Sequence, residues 1–218
     1  MRIRSCGDSM LLVECGDTID PVVNERAIVL ARRLRARGGR GIRDIVPGYC
    51  TVGIHFDPLQ VDLVALERAI DEASRDLPSI EALPDRPVTE IEVAYGGAGG
   101  PDLDAVADAC GCSPADVIAK HTGRIYRVYM LGFVPGFAYM GRVDPSIVMP
   151  RHRVPRERVP AGSVGIAGEQ TGVYPIETPG GWQLIGRTPA KMFDPGRTPA
   201  SLLAPGDLVR FVAHRGAA

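Results

Sequence analysis

The sequence predicts a two-part chain: a small α+β domain with the element order ββαββα, followed by a mainly-β barrel domain carrying two short helices. Three observations predict it. Two hairpins each followed by a well-capped helix fill the first third of the 218 residues. A proline-rich stretch without hydrophobic period, DLPSIEALPDRP, then interrupts the pattern. Beyond it short apolar runs alternate with Gly and Pro turns to the end, and so many short strands are best protected from exposed edges by closure into a barrel.

The elements follow in order. Residues 2–6 and 9–14 read as two strands around a Gly7-Asp8 turn. Asp20 before Pro21 is a helix start, and Val23, Ala27, Leu30, Ala31 and Leu34 keep helical spacing until Gly38-Gly39. GIRDIVPGYCTVGIHF is a second hairpin around Pro47-Gly48, and Asp62 caps a helix with Leu63, Leu66, Ile70 and Ala73 turned inward. These assignments place a domain over 1–77, a linker over 78–87 and a second domain over 88–218. In that second domain VTEIEVAY is a strand, Leu103, Val106, Ala107 and Cys110 mark a short helix, and Ser113-Pro114-Ala115-Asp116 is a capping box opening another. Val164–Ile166 and Gln183–Ile185 are too short for helices and read as barrel strands.

Composition narrows the function. A net charge of −1 provides no excess of cations for nucleic acid or an acidic membrane surface. No apolar run approaches a membrane span or a signal-peptide core. Five cysteines without a CxxC pair read as reduced thiols, and the expected location is the cytoplasm. No metal-ligand spacing is present, so no bound metal is expected.

The chemistry-bearing motifs are weighed against simpler roles. Gly96-Gly97-Ala98-Gly99-Gly100 lies between a strand and a helix, as phosphate loops do. It lacks the Gly-Lys-Ser/Thr ending, and Asp102 puts a carboxylate where a phosphate would bind, so a structural turn is the better reading. Gly162-Ser163-Val164-Gly165 does not have the spacing of a nucleophile elbow. His121 falls near a helix C-terminus, where the dipole favours a protonated capping role over catalysis. Arg32, Arg33, Arg35, Arg37, Arg40 and Arg43 read as a solvated helix end. Arg151, Arg153, Arg156 and Arg158 precede the glycine-rich segment around Trp182, the sole tryptophan, while Arg187 and Lys191 follow it. With Glu169, Glu177 and Asp194 as bases, Tyr139 and Tyr174 as hydroxyls, and Gly180-Gly181 backbone for an oxyanion, this is either a small-anion site or a solvated loop rim.

YRVYMLGFVPGFAYMG, PRERVPAGSVGIAGEQTGVYPIETPGGWQLIGRTP and YGGAGGPDL resemble the family of the type-B subunit of 5-oxoprolinase, also known as allophanate hydrolase subunit 1 and KipI. The resemblance covers nearly the whole chain. It implies a cyclophilin-like β-barrel after the small domain, and a non-autonomous subunit, inactive when isolated, of an ATP-dependent cyclic-amide hydrolase. The implied partners are a larger homologous barrel protein, the type-C subunit of 5-oxoprolinase (or allophanate hydrolase subunit 2), and a third component, its type-A subunit. ATP is the implied co-substrate. Two alternatives come with the family: an inhibitor that docks on a histidine kinase, and an allophanate hydrolase or urea-carboxylase-type carboxyltransferase component whose biotin would arrive on another protein.

The matching motifs include Tyr139 and His121, which with Glu177, a candidate base by its own chemistry, are the catalytic candidates. Substrate-binding candidates are Arg158, Arg187, Gly180, Gly181, Trp182, Gln170, Tyr174 and Thr178. The chain departs from the family pattern at Ala138 and Gly99, both smaller than expected.

Overall fold

The computed structural model describes residues 1–78 and 83–214. The chain divides into two compact units, Met1–Asp85 and Arg86–Ala218. Residues 79–82 of the expected linker lie outside the described residues.

The first unit contains β1 (Arg2–Ser5), β2 (Met10–Glu14), α1 (Pro21–Arg37), β3 (Ile42–Pro47), β4 (Thr51–Phe56) and α2 (Leu63–Ala73), which is the ββαββα order. Its sheet is antiparallel with strand order β1-β2-β4-β3. Asp20 caps α1 by accepting from the Val22 and Val23 N–H groups, and Asp62 does the same for Val64 and Ala65 in α2. Gly38 ends α1 at φ +64°, a conformation that favours glycine. Ala27, Leu30, Ala31 and Leu34 pack with Val13, Val52, Ile54 and Phe56 in one core. Leu63 corrects the sequence reading: it is exposed, because the buried face of α2 runs through Leu66, Ala69 and Ile70 while the first helical residue overhangs it.

Several of the arginines after the start of α1 are structural. Arg33 donates to the Ala73 carbonyl at 2.8 Å and to the Asp76 carbonyl at 3.2 Å, satisfying groups at the end of α2. Arg35 donates to the Ile45 carbonyl. Cys15 and Cys50 adjoin beside β2 and β4, with a backbone bond of 2.8 Å, and burial pushes the Cys15 thiol up to about 11. All five cysteines are free.

The second unit begins with β5 (Val88–Tyr95), α3 (Leu103–Ala109), α4 (Pro114–Thr122), β6 (Ile125–Leu131) and β7 (Ala138–Gly141). It continues through β8 (Arg156–Val159), β9 (Ser163–Ala167), β10 (Gln170–Val173), β11 (Thr178–Gly180), β12 (Gln183–Arg187) and β13 (Leu208–Ala213). Seven strands close a barrel in the order β10-β7-β6-β13-β5-β12-β9, and β8 pairs with β11 as a separate two-stranded sheet. The final strand enters parallel to β5, Leu208 opposite Val88, and antiparallel to β6, which closes the edge that β5 would otherwise expose. Ile91, Val93, Tyr126, Val128, Val164, Ile166, Val209 and Phe211 fill the barrel.

The capping box of α4 is present, with the Ser113 N–H donating to Asp116 at 2.9 Å and the Asp116 N–H to Ser113 Oγ at 3.1 Å. The glycine run before α3 is a packing device, as the missing phosphate-loop ending suggests. A Cβ on Gly100 would lie 2.2 Å from the Ile185 carbonyl oxygen, so only glycine lets this segment lie on β12. Among the described residues no helix is long and apolar enough to cross a membrane, and no cluster of acidic, His and Cys side chains could hold a metal ion.

Candidate functional site

A second apolar cluster of the barrel unit, separate from the barrel interior, gathers Phe137, Val159, Ala167, Tyr174, Trp182 and Leu184. Its aromatic rings meet edge to face: Phe137 to Trp182 at 5.3 Å, Phe137 to Tyr174 at 5.3 Å and Phe137 to Tyr139 at 4.8 Å between centroids. The glycines explain how Trp182 fits there. Gly165 and Gly172 face each other across β9 and β10, and a Cβ on either would stand 3.1 to 3.3 Å from Trp182 atoms. The pair makes a recess in the sheet into which the indole settles. Gly180 has a related role, since a Cβ there would lie 2.4 Å from the Tyr174 hydroxyl.

Above this cluster lies a cavity of about 270 Å³, lined by Phe133, Phe137, Tyr139, Arg151, Pro155, Tyr174, Pro179, Gly180, Gly181 and Trp182. One cation belongs to it. The Arg151 guanidinium carbon lies 5.9 Å from the Trp182 ring centroid, within cation–π range. Its neighbours place it there: Gln183 Nε2 donates to the Pro150 carbonyl at 2.9 Å, and the His152 N–H donates to the Gly181 carbonyl at 2.7 Å. Tied on both sides to the start of β12, the chain has to carry Arg151 over the indole. Burial pushes the Tyr139 and Tyr174 hydroxyls up from the ordinary phenol value, so both are neutral donors at pH 7.

Asp102 anchors the same arginine-rich loop from below. Its buried carboxylate accepts from Arg156 Nη2 at 2.6 Å, from the Leu184 N–H at 2.6 Å and from His152 Nε2 at 3.2 Å. The Asp102 N–H in turn donates to the Leu184 carbonyl at 2.9 Å. Burial alone would raise the Asp102 pKa, but Arg156, the Leu184 N–H and His152 outweigh it and hold the carboxyl below its usual range. The carboxylate that argued against a phosphate loop thus makes no side-chain cap on α3 and acts as the clamp of the site loop.

The sequence-derived candidates separate into groups. Tyr139, Tyr174, Gly180, Gly181 and Trp182 line the aromatic cavity. Arg187 does not; it lines a different, more open cavity of about 590 Å³ with Lys191, Thr188 and Ala161, and its Nε donates to the Ala161 carbonyl at 3.0 Å. Lys191 is paired with Asp194 at 2.9 Å. Arg158 and Glu177 face each other at 4.0 Å on exposed side chains beside β8 and β11, and Thr178 stands half-buried next to Glu177. Gln170 pairs with Gly141 and Ala167 at the start of β10.

His121 lies in the barrel interior, fully buried. Its Nδ1 is 2.7 Å from the Tyr95 hydroxyl and its Nε2 is 2.8 Å from Thr171 Oγ1. Since Thr171 Oγ1 donates its one proton to the Gly165 carbonyl at 3.0 Å, it accepts from His121, which assigns the neutral Nε2–H tautomer with Tyr95 donating to Nδ1. The ring stacks on Phe211 at 4.6 Å. Burial therefore overrides the helix dipole and keeps His121 uncharged, away from both cavities.

Sequence reasoning reaches Arg151 only as a member of the arginine cluster and Phe133 and Phe137 only as part of a matching motif, and it gives none of them, nor Asp102, an individual place in the site. Arg151 is one of four clustered arginines, and no local signal separates it from Arg153 or Arg158. Asp102 finds its partners 50, 54 and 82 residues away, which no spacing rule reveals.

The chain has the make-up of a carboxyltransferase-type protein: residues 1–203, which take in the first unit and most of the second, match the family described as carboxyltransferase domain, subdomain C and D. The chain is 39% identical to the type-B subunit of 5-oxoprolinase from Bacillus subtilis, covering 97% of this chain and 92% of that protein. It is 43% identical to the type-B subunit of 5-oxoprolinase from Escherichia coli O157:H7, covering 98% and 96%. The chain belongs to this family of type-B 5-oxoprolinase subunits. Among solved structures, TTHA0988 superposes with a TM-score of 0.85 at 38% identity over 99% of this chain, which spans 41% of that longer chain.

Proposed function

We propose that the chain is one subunit of a heteromeric ATP-dependent 5-oxoprolinase, and that the aromatic cavity receives the lactam. The observation that carries this reading is a cavity walled by five aromatic rings with a single guanidinium, Arg151, at its edge. 5-Oxoproline has matching parts: a compact, nearly flat, uncharged ring and one carboxylate. The carboxylate pairs with Arg151, whose planar donors suit two-point binding, and the ring lies against the aromatic walls. The names of the relatives and the family membership support the assignment of reaction.

The net reaction converts 5-oxoproline, ATP and two water molecules to glutamate, ADP and phosphate, one water opening the ring and the other releasing the phosphate. Amide resonance makes the ring carbonyl a poor electrophile, and phosphorylation of its oxygen by ATP removes that protection. The walls of the cavity contribute by excluding water, which strengthens the Arg151 contact and keeps attack to a placed water molecule. Gly180 and Gly181 bring backbone to the cavity where side chains would fill it. Turnover requires the larger barrel protein and a third component as well, so the isolated chain is expected to be inactive.

The test is a complex reconstituted from the three subunits. Arg151→Gln is expected to lower kcat/KM about tenfold to a hundredfold, the equivalent of roughly 1.5 to 3 kcal/mol for hydrogen bonds to a charged group. Arg187→Gln, on the other cavity and exposed, is expected to cost less than about fivefold. A larger loss from Arg187 than from Arg151, at unchanged melting temperatures, would move the anion site to the open cavity. Turnover by the isolated chain would refute its dependence on partners.

A further inference from the structure

Phe133 is the residue of the cavity whose position the fold itself does least to explain. Its backbone has φ +65°, one of two positive-φ residues other than glycine among the described residues. The Val134 N–H donates to the Gly132 carbonyl at 2.8 Å, closing a three-residue γ-turn of the positive-φ kind around Phe133. That turn is rare and strained for a residue with a Cβ, by about 1 to 3 kcal/mol. The turn is held from both sides, by Gly132 N–H to the Phe137 carbonyl at 3.1 Å and Phe137 N–H to the Val134 carbonyl at 3.0 Å.

The side chain gains little in return from burial. Phe133 is 59% exposed, whereas Phe137, Tyr174 and Trp182 are at most 4% exposed. Its ring meets Phe137 at 5.6 Å and Tyr174 at 6.5 Å, both near-perpendicular, and lines the cavity with them. A strained backbone that displays a large apolar ring at the mouth of a cavity opposes stability on both counts. Glycine would relieve the first and remove the second.

We infer that Phe133 is a specificity-determining residue, the aromatic wall that covers the face of a bound five-membered cyclic amide and is itself covered by it. The inference rests on the reading that the aromatic cavity is the lactam site. It assigns to Phe133 a selection by shape: a flat ring lies against the exposed Phe133 ring where that ring stands at right angles to Phe137 and Tyr174, while an open-chain amino acid such as the product glutamate makes no such contact and leaves.

Trp182, the only tryptophan and a lining residue of the cavity, supplies a fluorescence signal independent of turnover. The full chain is titrated with 5-oxoproline, with glutamate as the open-chain control, for wild type, Phe133→Gly, Phe133→Leu and Phe133→Tyr, each with a melting curve. Wild type and Phe133→Tyr are expected to bind 5-oxoproline saturably and in preference to glutamate. Phe133→Gly is expected to bind it about tenfold more weakly with an equal or higher melting temperature, and Phe133→Leu to fall between. If Phe133→Gly and Phe133→Leu bind within twofold of a wild type that does bind, the inference is wrong and the lactam-site reading stands. A wild type without saturable response to 5-oxoproline removes the lactam-site reading and the inference with it. A lowered melting temperature in Phe133→Gly with affinity retained would show a structural role and also overturn the inference.

Discussion

Asp102→Ala is expected to destabilise the barrel unit by about 3 kcal/mol, at the lower end of the 3 to 5 kcal/mol typical of breaking a buried charge cluster. The lower end applies because Arg156 and His152 keep 30% and 32% of their side chains exposed and can turn to water once the carboxylate is gone. The buried Leu184 N–H has no such recourse. Asp102→Asn should be nearly as harmful, since one amide carries one acceptor oxygen and puts an NH₂ group against either Arg156 or the Leu184 N–H. A midpoint shift in urea unfolding at unchanged slope, and a fall of roughly 10 °C in melting temperature, would register the effect. The consequence extends to the site, because the loop held by Asp102 carries Arg151, so ligand affinity falls together with stability. A loss below about 1 kcal/mol would mean that the clamp is not what holds the loop.

Acidification is expected to destabilise the barrel unit through His121. Its pKa falls from 6.5 to about 3 on folding because burial penalises the charged ring. Above about pH 6.5 both states are neutral and the group is silent. Below that value the unfolded chain takes up a proton that the folded chain refuses, so stability declines by about 1.4 kcal/mol per pH unit, or about 2 kcal/mol between pH 6.5 and 5. Asp102 adds a second, lower window: its folded pKa is depressed, so its stabilisation is present above the ordinary carboxylate value and drains away as pH falls below it. An NMR titration checks the first window directly, since the His121 ring should remain neutral down to about pH 4, while the stability slope between pH 7 and 5 should flatten in His121→Gln. A midpoint above about pH 6 in the folded protein would contradict the assignment.

His121 and Arg187 show where local reasoning stops. At the sequence level His121 looks like a helix-end cation, and only its packing among Tyr95, Tyr126, Thr171 and Phe211 makes it a neutral strut. Arg187 lies five residues from Trp182, yet it faces a different cavity. Arg151, thirty-one residues away along the chain, is the cation the indole receives.

Legible in the residues alone are the elements whose stabilising contacts lie within a few positions of one another. Asp20 and Asp62 reach N–H groups two and three residues on, and the Ser113–Asp116 box closes over three. Hairpins, helix ends and the barrel class follow from such contacts and from the periodicity of apolar residues, and the long glycine-proline motifs point to the family. Which charges meet which rings is a matter of folding in three dimensions. The recess for Trp182 needs glycines on two strands, the Asp102 clamp needs partners on the site loop and β12, and the neutrality of His121 needs the whole barrel around it. Each depends on desolvation and close approach between segments far apart in the chain, quantities that exist only once the barrel has closed.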